Sequence, residues 1–238
     1  LLLTVSIGVK NVNTVSADNY ACEVTTGDSH PTCNVTLTYS ASPLATATIK
    51  VINGSKDNGV TIGIPSGSTN NGVASASGTT SIEKGNGNYA EVIITANKAG
   101  TETLYAYEST HGNSWNEHYY AVISVTVNKA TPTVTSPTAK TNLTYTGSAQ
   151  ELVTAGTTTG GTMKYRLGTS GDYSETIPSA TDAGTYTVYW KVDGGDNYND
   201  NEGGNVSVTI AKAAATINPN PTGKTGLIYS AAEQELIT

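Results

Sequence analysis

The stretch from Asp182 to Val192, which reads DAGTYTVYWKV, constrains the fold of this chain more than any other feature. Its apolar residues alternate, since Tyr186, Val188 and Trp190 occupy every second position up to Val192. Successive side chains of a β-strand point to opposite faces, so this pattern predicts a strand with one buried face. We therefore expect the segment to cover a hydrophobic core, with Trp190 as a core residue.

The composition and turn signals predict an all-β fold. Charged residues are only 13% and hydrophobic residues 37%, with Gly 25 and Tyr 14. Thr, Val, Ile and Tyr suit a pleated, half-buried surface, and Asn-Gly pairs mark turns. Short strands separated so regularly favour a sandwich over a parallel sheet. In the first half of the chain the predicted strands are Val35–Tyr39, Ala45–Ile52, Val60–Ile64, Thr79–Ile82, Ala90–Ala96, Thr103–Tyr107 and Tyr120–Val127.

The order of elements is repeated along the chain. Ala-Gly-Thr, a strand, a polar loop, a second strand and Lys-Ala follow one another from Ala99 to Lys129 and again from Ala183 to Lys212. The joint Lys-Ala-Thr-Pro at 129–132 contains a proline and lacks Gly and Ser, so we expect it to be short and semi-rigid.

A second repeat involves the end of the chain. LTYTGSAQELVT from Leu143 to Thr154 matches LIYSAAEQELIT from Leu227 to Thr238. A period of this size indicates whole domains in tandem. The predicted units are domain one at 18–130, domain two at 131–213, and an incomplete start of a further repeat at 214–238. We expect this last segment either to be extended and poorly packed or to dock on an exposed sheet edge. A longer parent protein would supply the rest of that repeat.

Two resemblances support this organisation. Gly161–Tyr165, Asp182–Tyr186 and Asn197-Tyr198 resemble the mostly bacterial, glycine-rich Ig-like repeats called MBG. The segment 91–107, with its Lys-Ala-Gly-Thr corner at 98–101, resembles the bacterial Ig-like group 2 family. These resemblances imply tandem immunoglobulin-like β-sandwich domains in a surface-exposed or secreted bacterial protein, and they imply no catalytic residue.

The resemblance also implies a structural corner in domain two, formed by Asp182, Gly184, Tyr186 and Trp190. In such a tyrosine corner the Tyr186 side chain is mostly buried and its hydroxyl binds backbone a few residues upstream. Domain one departs from this pattern, because Glu102 stands where domain two has Tyr186. We therefore expect domain one to lack the corner tyrosine.

Cys22 and Cys33 are the only cysteines. They flank a segment with Gly, Asp, Ser and Pro, which favours a turn, so they could face each other across a hairpin-like link. A disulfide is expected if the chain is exported. Two buried free thiols or half of a metal site are alternatives, but the spacing is not that of a zinc site.

Residues 1–17 allow three interpretations. They are the end of a preceding strand or domain, the remainder of a secretion signal that ends in Val15-Ser16-Ala17, or the first strand of domain one. The alternation of Leu3, Val5, Ile7 and Val9 favours a strand.

Two loops are candidates for binding, because binding residues concentrate in the loops of sandwiches. In the first, His111, Trp115, His118 and Tyr119 could contact a ligand, and Trp115 could stack on a sugar ring. The alternative for Trp115 is an indole that folds back on the sandwich. In the second, Asp193, Asp196, Asp200 and Glu202 offer the oxygen ligands that calcium prefers. The alternative is a solvated turn rich in Gly and Asn, because the order does not match an EF-hand.

Charge and motifs restrict the function. The net charge is −7 and no basic stripe is present, which argues against nucleic acid and anionic membranes as partners. No catalytic motif of the hydrolase, zinc-protease or phosphate-loop type is found. We therefore expect no enzyme, no cofactor other than calcium, and no membrane insertion.

The predicted function is that of a non-catalytic structural or adhesive module, extracellular or on a bacterial cell surface. Its expected partners are neighbouring Ig-like repeats and a host or environmental glycan or protein. Two alternatives stay open. One is an Ig-like decoration or adhesion domain of a bacteriophage virion, and the other is the accessory region of a large secreted enzyme.

Overall fold

The computed structural model describes residues 20–27, 29–64, 70–108 and 120–238, and over these residues the chain is all-β. Domain one contributes β1 (Glu23–Thr25), β2 (Thr32–Thr38), β3 (Thr46–Ile52), β4 (Val60–Gly63), β5 (Ala74–Gly78), β6 (Ser81–Ile82), β7 (Tyr89–Ala96), β8 (Gly100–Glu108) and β9 (Tyr120–Asn128). They form a four-stranded sheet in the order β1-β3-β7-β5 and a five-stranded sheet in the order β2-β9-β8-β4-β6.

The two sheets of domain one pack face to face over one hydrophobic core. Side chains alternate between buried and outward along β3, β7 and β9, as the sequence pattern requires. Ile49 and Ile94 from one sheet and Leu104 and Ile123 from the other are almost fully buried in the same cluster. Burying a side chain of this size contributes about 1.5–3 kcal/mol. The predicted immunoglobulin-like β-sandwich is thereby confirmed.

Two strands of domain one are not predicted by the alternation of apolar residues. β1 is only three residues long, and β5 has the sequence ASASG, with no large apolar residue to alternate. Both are defined by their partners, since β1 runs parallel to β3 and β5 runs antiparallel to β7. The seven predicted strands recur, although their bounds move and the predicted Thr79–Ile82 shortens to β6.

Domain two is assembled from one larger sheet and several short ladders. Its strands are β10 (Val134–Thr135), β11 (Thr138–Ala139), β12 (Gln150–Glu151), β13 (Val153–Thr154), β14 (Thr157–Thr158), β15 (Thr162–Leu167), β16 (Ser179–Ala180), β17 (Gly184–Asp193) and β18 (Asn201–Ile210). β15, β17 and β18 form an antiparallel sheet, and β10–β14, β11–β13 and β12–β16 pair opposite it. The core between them contains Leu152, Tyr165, Val188, Trp190 and Ile210, so Trp190 is a core residue as predicted.

The segment 214–238 packs against neither core. Every one of its residues is exposed, and Leu227 and Leu236 are 44% and 69% accessible. It contains one internal antiparallel bridge, between Gly223 and Ile237. Of the two predicted arrangements, the structure has the poorly packed one.

Candidate functional site

The first predicted binding loop lies outside the described residues. His111, Trp115, His118 and Tyr119 all belong to residues 109–119, which connect β8 to β9. Their ligand-binding role therefore stays a prediction.

The second predicted site surrounds the 194–200 loop between β17 and β18, with Asp193 at the end of β17 and Glu202 in β18. Asp193 Oδ2 accepts a hydrogen bond from Lys164 Nζ at 2.8 Å, and Asp200 Oδ1 accepts one from Gly194 N at 2.8 Å. Asp196 and Glu202 are exposed. Among the described parts of the chain, no three His, Cys, Asp or Glu side chains are grouped as metal ligands. In the structure Asp193 and Asp200 bond to Lys164 and to the loop backbone, and the calcium role of the four residues stays a prediction.

The ion pair between Lys164 and Asp193 shifts the pKa values of both groups. The hydrogen bond from Lys164, then that from Gly195 N, lowers the pKa of the Asp193 carboxyl below its ordinary value. The same bond to Asp193 raises the pKa of the Lys164 ammonium. Because Asp193 ends β17 and Lys164 lies on the neighbouring β15, the pair fixes the start of the loop to the sheet.

The same loop binds the joint between the domains through its backbone. Ala130 N donates to Asn197 O at 2.9 Å, and Asn199 N donates to Ala130 O at 2.8 Å. Lys129 Nζ donates to Gly195 O at 2.7 Å. The joint is therefore attached to domain two on a short parallel bridge and is not a free linker.

Two side chains of the loop reach domain one itself. Asn197 Oδ1 accepts a hydrogen bond from Ala99 N at 2.8 Å, at the turn that precedes β8. The Tyr198 ring meets the Tyr39 ring edge to face, with centroids 5.5 Å apart and planes at 82°, a favourable aromatic geometry. These contacts, together with those of Lys129 and Ala130, are called the interdomain contact below.

Gly160 makes room for Tyr198 on the domain-two side. A Cβ atom at residue 160 would lie 2.4 Å from the Tyr198 ring, so any larger residue would displace the ring. Tyr198 is consequently held between a glycine of its own domain and Tyr39 of domain one. Pro132, in the joint, is buried, and Tyr198 is half-buried.

The predicted corner of domain two is present, with a difference in burial. Tyr186 Oη donates to Asp182 O at 2.8 Å, which is the expected upstream backbone bond. A Cβ at Gly184 would lie 3.7 Å from that hydroxyl, so the residue is close to the ring. The Tyr186 side chain is half-buried and not mostly buried, because it packs at the edge of the core that Val188 and Trp190 fill.

Cys22 and Cys33 form a disulfide with their Cα atoms 6.0 Å apart. The expected hairpin-like link between them is wrong. Cys33 lies in β2, which pairs with β9, whereas Cys22 directly precedes β1, which pairs with β3 of the other sheet. The disulfide therefore connects the two sheets of domain one.

Sequence reasoning did not assign the interdomain role of Asn197 and Tyr198, although both belong to the motif that resembles MBG repeats. One usable signal was present: a Tyr in a Gly- and Asn-rich loop has no local apolar neighbours to bury it. Glu102 stands out in the sequence because it replaces a tyrosine. Its position in register with Leu104 and Ala106 on the inward face was the signal for a buried carboxylate.

No protein-family model and no curated protein sequence matches this chain. Among solved structures, the fibronectin(III)-like modules of Clostridium thermocellum CbhA are similar at 15% identity and a TM-score of 0.27, over 72% of this chain and 93% of that chain. Within the described residues, no helix is long and apolar enough to span a bilayer.

Proposed function

We propose that this chain is a non-catalytic spacer in a bacterial cell-surface or secreted protein, in which neighbouring Ig-like sandwiches are held in a fixed relative orientation. The interdomain contact carries the proposal. Loops at the end of a sandwich usually remain available for ligands, but the β17–β18 loop is occupied by the joint and by domain one. A loop that bonds both to the joint and to domain one holds the two sandwiches together.

The interdomain contact restrains the joint from several directions. Ala130 is bonded to the loop on both its N–H and its C=O, and Lys129 is bonded through its side chain. The Asn197 bond and the Tyr198 ring then act on two separate points of domain one. Domains joined by a small interface normally move relative to each other. Restraints at several points oppose rotation about the joint as well as bending.

Other features support an extracellular spacer. The disulfide suits an oxidising compartment. The resemblance to MBG and group 2 Ig-like repeats, together with the period of the sequence, supports an array of such domains. An acidic net charge keeps an extended array soluble.

Residual dipolar couplings measured by NMR on the whole chain test the proposal. We expect the couplings of both sandwiches to fit one alignment tensor. Replacing Asn197 and Tyr198 together by Ala removes both contacts to domain one but leaves the backbone bonds of Ala130, so the two domains should then require separate tensors. Asp196→Ala is the matched control, since Asp196 is exposed in the same loop.

Two outcomes would contradict the proposal. Separate tensors in the unmodified chain would mean that the domains are not held, and a single tensor in the double variant would mean that these side chains do not hold them. Chemical shifts of core residues such as Val188 and Ile123 report whether each sandwich remains folded in the variant.

A further inference from the structure

The segment 214–238, called the tail below, has the local structure of the segment that opens domain two, 130–154. In the opening segment Lys140 N donates to Leu152 O at 2.9 Å, and in the tail Lys224 N donates to Leu236 O at 2.9 Å. The bridge between Gly223 and Ile237 repeats the pairing of β11 with β13. The backbone pairing around Lys224 and Ile237 therefore repeats that around Lys140 and Val153.

Side-chain bonds are repeated as well. Lys140 Nζ donates to Glu151 Oε2 at 2.8 Å, and Lys224 Nζ donates to Glu235 Oε2 at 2.8 Å. Gln234 Nε2 donates to Ile228 O at 2.8 Å, in the manner of the corresponding glutamine of domain two. The tail thus adopts the folded arrangement of its counterpart through bonds of its own.

One backbone position supports this conclusion independently. Gly147 has a φ of 79° in the opening segment, and Ala231 has a φ of 56° at the corresponding place in the tail. A positive φ is unfavourable for a residue with a Cβ atom. The tail keeps the turn of its counterpart even where the sequence has lost the glycine.

The two copies differ in what covers them. Leu152 and Val153 are both 0% exposed, whereas their counterparts Leu236 and Ile237 are 69% and 61% exposed. The tail therefore presents to solvent the side chains that domain two places in its core, and adjacent exposed apolar residues mark an interaction surface.

Domain two shows which structure fits this surface. Leu152 packs in one core with Val188 and Trp190 of β17 and with Val208 and Ile210 of β18. The following strand is also bonded to the opening segment, since Ala211 N donates to Leu143 O at 2.8 Å. The occupant of the equivalent surface is thus a β-sheet with the apolar pattern of β17 and β18.

We propose that the tail is a preformed acceptor surface for the remaining strands of an Ig-like repeat, and that its occupant is a β-sheet segment with the pattern of residues 155–213. Leu236 and Ile237 would enter the new core, and Ile228 would stay outside, because its counterpart Thr144 is exposed in domain two.

The test extends the full chain at Thr238 with a second copy of residues 155–213. We expect calorimetry to show an additional cooperative transition. Exchange of the Lys224 amide hydrogen should slow by about 100-fold or more, because a solvent-exposed segment becomes part of a packed core. Leu236→Ser in the extended chain should abolish both effects, and Ile228→Ser should preserve them.

The proposal is overturned if the extended chain gains no transition and no amide protection, or if Ile228→Ser removes the gain as completely as Leu236→Ser does. Neither result bears on the spacer proposal, whose contacts all lie between residues 39 and 199 and are measured by dipolar couplings.

Discussion

The two sandwiches secure the same corner with different side chains. In domain one the Glu102 carboxylate is 2% exposed, and its two oxygens accept hydrogen bonds from Asn71 N at 3.3 Å and Val73 N at 3.1 Å. In domain two Tyr186 bonds with Asp182 O, only four residues upstream. The two side chains therefore differ in how far along the sequence their hydrogen-bond partners lie.

This difference has a structural consequence. Glu102 lies on β8, whereas Val73 directly precedes β5 in the opposite sheet, so the carboxylate connects the two layers of the sandwich. Tyr186 holds only the turn that leads into its own strand. A buried carboxylate that is removed leaves backbone N–H groups without an acceptor in the interior, which costs more than the loss of a single local bond. We expect the corner of domain one to matter more to stability.

The largest expected effect is that of Glu102→Ala. The variant leaves the N–H groups of Asn71 and Val73 without their acceptors and should lower the free energy of unfolding of domain one by about 3 kcal/mol. Glu102→Gln keeps one acceptor oxygen and should fall between Ala and the unmodified chain. Urea denaturation followed at domain-one amide signals measures the change.

Glu83→Ala is the control, because Glu83 is an exposed glutamate of the same domain and exposed substitutions usually change stability by less than about 0.5 kcal/mol. A Glu102→Ala variant as stable as this control would show that the carboxylate does not hold the sheets together.

The second prediction concerns Tyr186→Phe. The variant keeps the ring and loses one hydrogen bond to Asp182 O, so domain two should lose about 1 kcal/mol. Tyr189→Phe serves as the comparison, since it keeps the ring that lies 5.2 Å from the Arg166 guanidinium. An unchanged melting temperature for Tyr186→Phe would show that the hydroxyl bond does not stabilise domain two. A loss as large as that of Glu102→Ala would remove the proposed difference between the corners.

Much of the fold could be predicted from the sequence because alternation is a local property. The alternation of Tyr186, Val188 and Trp190 already indicates which face of β17 is buried. β5 could not be found in this way, because its small residues carry no alternation of large apolar groups and its place is set by β7. The tandem organisation was accessible for a similar reason, since a repeat is visible by comparing the chain with itself.

The interdomain contact could not be predicted in this way, because it joins residues that are distant in the sequence. Asn197 and Ala99 are 98 residues apart, so their bond follows from the relative placement of two domains, which no local pattern contains. Glu102 could be recognised as unusual, but its partners lie about 30 residues away, just before β5 of the other sheet. For the acidic residues of the β17–β18 loop, composition alone cannot distinguish carboxylates that converge on calcium from carboxylates that bind their own backbone.

The smallest expected effect is the pH dependence of the Lys164–Asp193 pair, which anchors the loop that makes the interdomain contact. Because the folded pKa of Asp193 is lowered, the pair stabilises domain two above the ordinary pKa of an aspartate, about 4, and this contribution is lost as the pH falls through the lower folded value. Because the folded pKa of Lys164 is raised, the contribution is fully present below about pH 10 and is lost only at a more alkaline pH. The effect is small because both groups are partly exposed and screened.

Asp193→Asn tests this assignment, since the amide keeps an oxygen that can accept from Gly195 N but carries no charge. We expect the melting temperature of domain two to be lower in the variant at pH 7, and the difference from the unmodified chain to close as the pH falls below about 4. It should also shrink at high ionic strength, where a partly exposed ion pair is screened. A difference that stays constant across this pH range would mean that the Asp193 charge does not stabilise the loop, and the hydrogen bond from Gly195 would then be its main contribution.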